Sequence, residues 1–324
     1  MNPSDASFPE IDLSRLTTHS IAGRHSKVRV AHFAQPLPAE AGIAEWVESL
    51  PHILAGDLFR QALEALVGAV RSRRAVVLAM GAHVVKCGLS PVLIDLIQRG
   101  WISALAMHGA GAIHDIEIAL FGETSEDVER ELPAGRFGMA QETAHFFHAG
   151  AAAARAGGTG LGATLGCRLL ETNAPYAHVS LLAQAAAAKV PVTVHVALGT
   201  DIVHMHPSAN GADLGEASLR DFRILAAVLR DVGEGGVVLN VGSAVVLPEV
   251  LLKCFSVLVN LGYSLRGATG INLDFLQQYR AGTQVVKRLE LLGGRGLSLT
   301  GHHEILIPLL AWAWKRAMEN THAL

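Results

Sequence analysis

Three short stretches of the chain combine glycine with acid or hydroxyl groups in the pattern of a nucleotide-binding loop. His108-Gly109-Ala110-Gly111 is followed by Asp115, Gly199 by Thr200-Asp201, and Gly242 by Ser243-Ala244. Glycine lets backbone approach a ligand closely. A helix N-terminus can hold a pyrophosphate, and a carboxylate can accept hydrogen bonds from ribose hydroxyls. Each stretch also has a plainer reading, in which the glycines turn the chain and Asp115 caps a helix. Histidines form the second chemical group. The chain has 16 of them, and His108, His114, His195, His204, His206, His302 and His303 include several at the ends of apolar runs. Imidazoles beside a carboxylate suit zinc or iron. Yet His204-Met205-His206 and His302-His303 lack the i, i+4 spacing of a helical metal motif. A polar pocket lined by hydrogen-bonding histidines is the plainer expectation, and no metal ligand is assigned.

The flanking residues say which elements hold these loops. Residues 75–80, Ala-Val-Val-Leu-Ala-Met, are short, apolar and preceded by Arg73-Arg74, as expected of a strand buried on both faces. Ser90-Pro91 opens a helix that Gly100 ends. A second buried strand follows over 102–107 and delivers His108. This is one βαβ unit, with two parallel strands and a crossover. Further strands are expected over 191–198, 237–241, 267–272 and 297–300, with helices over 58–70, 175–188 (capped by Asn173), 218–230, from 247, and from about Glu304. Thr124 and Asp127 resemble a capping box. Gly157 to Gly166 reads GGTGLGATLG, but it follows a helix, so a connection between two Ala-rich helices is favoured over a dinucleotide fingerprint. The expected architecture is α/β: a Rossmann-like, doubly wound, mostly parallel sheet with helices on both faces. Residues 1–45 are read as an N-terminal arm, with a β-like piece at 27–33, and residues 46–324 as one domain. In a parallel sheet the three glycine loops leave the same edge, where ligands bind. His108, Gly109, Ala110, Gly111, Asp115, Thr200, Asp201, Gly242, Ser243 and Ala244 are therefore the candidate cofactor-binding residues.

The order of these elements, with Gly81 and Gly88-Leu89 after the first strand, resembles the deoxyhypusine synthase family. His108 to Asp115 matches the family's Thr-Ala-Gly-Gly-Val-Glu-Glu-Asp, with Ile113 and His114 in place of the two glutamates. Gly199-Thr200-Asp201 is similar to its Leu-Thr-Asp-Gly, with Ile202 after the aspartate. Gly242-Ser243-Ala244 looks like its glycine loop, but Glu249-Val250 follow Pro248 where the family has Lys-His. Gln284-Val285-Val286-Lys287 resembles its Ser-Trp-Gly-Lys, without the tryptophan. The resemblance implies NAD as cofactor and hydride removal from a carbon beside an amine. It also implies Lys287 as a covalent centre and a homotetramer with pockets between subunits. His114 and Lys287 are the candidate catalytic groups, although Lys287 beside Arg288 also reads as an ordinary exposed base. The departures at Ile113, His114, Val250 and Val286 point away from the family's own substrates. The expected function is an NAD-dependent transferase or oxidoreductase acting on a small amine or polyamine. A metal-dependent enzyme with a His-rich pocket and a non-catalytic dinucleotide-binding protein stand as alternatives.

Composition limits the rest. Half of the 324 residues are hydrophobic and 17% are charged, enough for a large core. A net charge of −3 gives no footprint for nucleic acid. Cys87, Cys167 and Cys254 are isolated, which fits a reducing cytoplasm. No run reaches the ~18 apolar residues of a membrane span, and the N-terminus has no secretory pattern.

Overall fold

The computed structural model describes residues 10–319; residues 1–9 of the expected arm and residues 320–324 lie outside it. Five of the six core strands are covered on both sides, and most of these are short apolar runs. The elements follow in order: α1 (Leu54–Arg71), β1 (Val76–Met80), α2 (His83–Lys86), α3 (Ser90–Gln98), β2 (Ala104–His108), α4 (Gly109–Phe121), α5 (Gln141–Gly157), α6 (Leu161–Glu171), α7 (Leu181–Ala187), β3 (Val192–His195), α8 (Gly211–Val228), β4 (Val237–Val241), α9 (Val246–Asn260), β5 (Thr269–Asp274), β6 (Arg295–Thr300) and α10 (His303–Glu319). A further helix, Ile43–Ser49, precedes α1, and shorter helical turns lie between the other elements. All six strands form one parallel sheet in the order β3-β2-β1-β4-β5-β6. The chain thus builds outward from β1 to β3, returns, and builds outward again from β4 to β6.

The sheet's alternation sorts the core into two layers. Val76, Leu78 and Met80 of β1 join Leu105, Met107, Leu239 and Ile271 on one face, under α1, α3 and α10. Val77 and Ala79 join Ala104, Ala106 and Val238 on the other, under α8 and α9. One-residue register errors would exchange these layers. The α/β, doubly wound architecture read from the sequence is the observed one. No helix among the described residues is long and apolar enough to cross a membrane.

Several local expectations change. The piece at 27–33 is not β; it forms a single 3-10 turn at Val30–His32. The arm around it is exposed, including Ile11, Leu16, Ile21 and Val30. Asn173 does not cap a helix. It sits at φ 50° just after α6, and Ser180 caps the shorter α7 through the Ala183 N–H. Asn210 starts α8 seven residues ahead of the expected Ser218, by accepting from Ala212 and Asp213 N–H. The glycine run 157–166 does join two helices, with Gly158 at φ 63°.

The N-terminus of α6 is held by the fully buried Asp221 of α8. Its Oδ2 accepts from Gly162 N–H at 2.9 Å and from Val194 N–H of β3 at 2.7 Å. One carboxylate thus ties two helices to an edge strand. Burial pushes its pKa up to about 7, against the pull of those N–H donors. A carboxylate raised in the folded state stabilises fully below its ordinary value of 3.8 and loses that contribution as pH rises through about 7. Asp221→Asn lacks this titration. Urea melts should show wild-type stability relative to the variant falling by on the order of 2–4 kcal/mol from about pH 4 to about pH 8. Parallel curves would contradict the assignment.

Candidate functional site

The carboxyl ends of the strands carry two clusters of polar side chains, one on each side of β1. The first lies at β2 and β3. β2 runs directly into α4, so Gly109, Ala110 and Gly111 are not an open loop but the first helical turn. Asp201, in the turn after β3, stands over that helix start and accepts from the Ala110 N–H. The contact requires glycine: a Cβ on Gly109 would lie 2.0 Å from Asp201 Oδ2. Asp201 is 8% exposed, its Oδ2 has no hydrogen-bond partner, and burial pushes its pKa up to about 6. His204 fixes the turn, with Nδ1 accepting from Gly199 and Asp201 N–H at 3.1 Å each.

Beside Asp201 is a cavity of about 210 Å³ whose polar wall is Lys86, His114, Glu117, Glu126, Thr200 and Asp201. His114 Nδ1 lies 2.7 Å from Thr124 Oγ, whose hydroxyl also bonds Glu117. Burial pushes His114 down to about 4, helped by Lys86 and His108, and burial alone lowers His108. Both imidazoles are therefore neutral near pH 7, and the carboxylates outnumber the single cation, Lys86.

The second cluster lies where the strand order reverses, at β1 and β4. Gly81 and Gly242 meet across the two strand ends; a Cβ on Gly81 would be 2.1 Å from Gly242 O. Gly242 has φ 63°, and a Cβ there would reach 2.6 Å from His303 Cε1. The buried imidazole of His303 therefore sits on Gly242. Its Nδ1 is 3.0 Å from His83 Nδ1, and its Nε2 is 3.4 Å from Asp274 Oδ1. Ser243 Oγ accepts from Leu247 N–H and caps α9. Ala244 is partly exposed beside it. Below, Asn240 donates to Asn272 Oδ1 at 2.7 Å, and Asn272 donates to Gln277 at 2.8 Å, carrying a polar ladder across β4 and β5.

The expected site residues divide accordingly. His108, Gly109, Ala110, His114, Thr200 and Asp201 come together at β2 and β3. Gly242, Ser243 and Ala244 share the edge but lie two strand spacings from β2, roughly 10 Å away. Gly111 is buried in α4 above Met107 and offers no ligand surface. Asp115 is a correction. It is fully buried and accepts from Ser180 Oγ at 2.5 Å, Leu181 N–H at 2.7 Å and Leu182 N–H at 3.0 Å, so it caps α7 and cannot reach a ribose. Lys287 is another. It is exposed at the end of the π-helical turn Gly282–Lys287, which returns the chain toward the start of β6, away from the carboxyl edge. His83 was not singled out from sequence; nothing local links it to His303, 220 positions away. Among the described residues no three His, Cys, Asp or Glu side chains converge to hold a metal ion. A larger cavity, about 720 Å³, opens at the amino edge between Arg73, Arg74, Trp101 and Arg230. It lies away from the edge where parallel sheets bind ligands.

No protein-family pattern matches the chain, and no curated protein matches it. Solved structures do. ArgZ, an arginine dihydrolase from the ornithine–ammonia cycle in cyanobacteria, has a TM-score of 0.51 and 15% identity over 82% of this chain and 33% of its own. AgrE in its ternary complex with ornithine and NAD+ has a TM-score of 0.50 and 14% identity over 82% of this chain and 34% of its own. The likeness is one of fold. The chain spans about a third of the length of these two proteins. A candidate deoxyhypusine synthase from Entamoeba histolytica is also similar, at TM-score 0.48 and 11% identity over 85% of this chain and 93% of that one.

The role found for Asp115 has a direct consequence. Asp115→Ala leaves two α7 N–H groups and the Ser180 hydroxyl buried without an acceptor. It should cost on the order of 3 kcal/mol in chemical denaturation while leaving small-molecule binding unchanged. An unchanged denaturation midpoint would contradict the capping role.

Proposed function

We propose that the chain binds NAD(H) along the carboxyl edge of its sheet and oxidises or transfers from a small amine. The observation that carries this reading is the strand order, which reverses between β1 and β4. In doubly wound sheets a dinucleotide lies across that crevice, one nucleotide on each half. The cavity beside Asp201 supports an adenosine half at β2 and β3, with the Asp201 carboxylate and Thr200 hydroxyl for ribose. The junction of Gly81, Ser243 and Ala244 at the start of α9 supports the pyrophosphate. The nicotinamide then falls toward β4–β6. A fold neighbour is described in complex with ornithine and NAD+, which supports the pairing of this cofactor with an amine. The excess of carboxylates at the edge, from Glu117, Glu126, Asp201 and Asp274, favours a cationic substrate over an anionic one.

Lys287 takes no part in this proposal, because its side chain is outside the edge. Without an imine-forming lysine, hydride removal is favoured over covalent transfer. The exposure of Lys287 also favours a second reading, a dinucleotide-binding protein without turnover. Calorimetry with NAD+ and NADH on ligand-stripped protein tests the first claim, and NADH formation with amines separates the two readings. Binding is expected, and Asp201→Ala should weaken it about ten- to a hundred-fold. No heat at millimolar dinucleotide would remove the cofactor assignment.

A further inference from the structure

The β4–β6 side of the edge holds a chain of three groups, Asp274, His303 and His83. Asp274, at the end of β5, is 4% exposed, and its Oδ1 accepts from the Phe275 N–H at 2.8 Å. Its Oδ1 lies 3.4 Å from Nε2 of the fully buried His303, whose Nδ1 lies 3.0 Å from Nδ1 of the exposed His83. The hydrogen positions follow from the acceptors. His303 Nε2 makes no well-formed hydrogen bond among the described residues, but the Asp274 carboxylate beside it can only accept, so the His303 proton belongs on Nε2, facing Asp274. His303 Nδ1 is then an acceptor, and His83 must donate to it from Nδ1. That leaves His83 Nε2 as an acceptor, with the Cys87 thiol 3.7 Å away, on a ring that reaches solvent.

We propose that His83 is a general base at this edge, and that His303 and Asp274 are positioning residues that hold it in the Nδ1–H tautomer. The groups facing His83 fit an alkylammonium substrate. Phe275, half exposed, lies with its ring centroid 5.7 Å from the His83 ring and 6.5 Å from that of His302, nearly parallel to the latter at 5°. An aromatic face of this kind attracts a cation. Glu304 supplies a carboxylate nearby; its Oε2 is 3.9 Å from Cys87 Sγ, which is itself 3.4 Å from His83 Nδ1. Cys87 is not the reactive group, because burial and Glu304 push its thiol up. Lys86 on the same helix is the nearby cation, and it points to the cavity at β2 and β3. Burial lowers the His303 pKa, against the opposing pull of Asp274 and the Leu273 backbone.

The step balances with the proposed cofactor, on which this inference rests. The ammonium gives a proton to His83 Nε2. The neutral amine carbon gives a hydride to the nicotinamide, and the C–N bond becomes an iminium. NAD+ is reduced to NADH, the amine is oxidised, and His83 releases its proton to solvent. His303 stays neutral throughout, and its bond to His83 Nδ1 strengthens as positive charge forms on that ring.

Two measurements on the full chain test this. Side-chain nitrogen NMR should find His83, identified by its loss in His83→Gln, as the Nδ1–H tautomer. In Asp274→Asn it should shift toward the Nε2–H form favoured in water. An Nε2–H form in the wild type overturns the relay, whether or not dinucleotide binds. NADH formation from 1,4-diaminobutane should fall about 100-fold or more in kcat for His83→Gln, with NAD+ affinity by calorimetry unchanged. A variant within about twofold of wild type overturns the general base. A wild type that binds NAD+ but forms no NADH from the diamine overturns the amine assignment. A wild type that binds no NAD+ ends the cofactor reading, and the tautomer still decides the relay.

Discussion

Parallel pairing of six strands, five of them buried on both faces, is the constraint from which the rest follows. A strand buried on both sides cannot carry exposed polar groups along its length, so its chemistry gathers where it ends. Because every strand points the same way, those ends share one edge. Two exceptions are informative: Asn240, buried in β4, donates to Asn272 of β5, which donates to Gln277 close to that edge, while Asn240 Oδ1 has no partner among the described residues. The short helix α2 then joins the edge's two halves. Lys86 faces the cavity at β2 and β3, and His83, one turn earlier, faces His303 beyond β4.

One electrostatic device recurs in the framework. Asp201, Asp221 and Asp115 are all buried, and each places its carboxylate on a helix start, at α4, α6 and α7 respectively. In each case burial raises the pKa while the helix N–H groups oppose that rise. The helix dipole and orphan donors there would otherwise welcome an outside anion. At these three sites the protein supplies its own. This explains why a glycine-rich helix start is not by itself a phosphate site here, and why α9, capped only by a serine hydroxyl, is the better candidate.

How much of this was legible depended on range. The strand over residues 237–241 matches the observed β4 because four β-favouring apolar residues, interrupted only by Asn240, between turn signals leave little choice. The doubly wound architecture followed from such runs alternating with helices. The contact of Asp201 with α4 was half visible, as a glycine and an acid on separate strand ends. Asp115 misled because an acid four residues past a glycine fits a ligand loop as well as a cap; only the position of Ser180, 65 residues on, decides it. Lys287 misled because the helical path after β5 carries it back off the edge, and local sequence does not reveal that direction. The His83–His303 pair required the fold itself. Gly242 was visible as a glycine at a strand end, but its partner, an imidazole lying on its α-carbon, was not.

The central claim is that a dinucleotide lies across this edge, with its halves on either side of β1. A crystal structure grown with millimolar NAD+ tests it most directly. Electron density should span Asp201 and the start of α9, with the nicotinamide toward β4–β6. Density confined to the amino edge near Arg73 and Arg230, or none at saturating ligand, would contradict it.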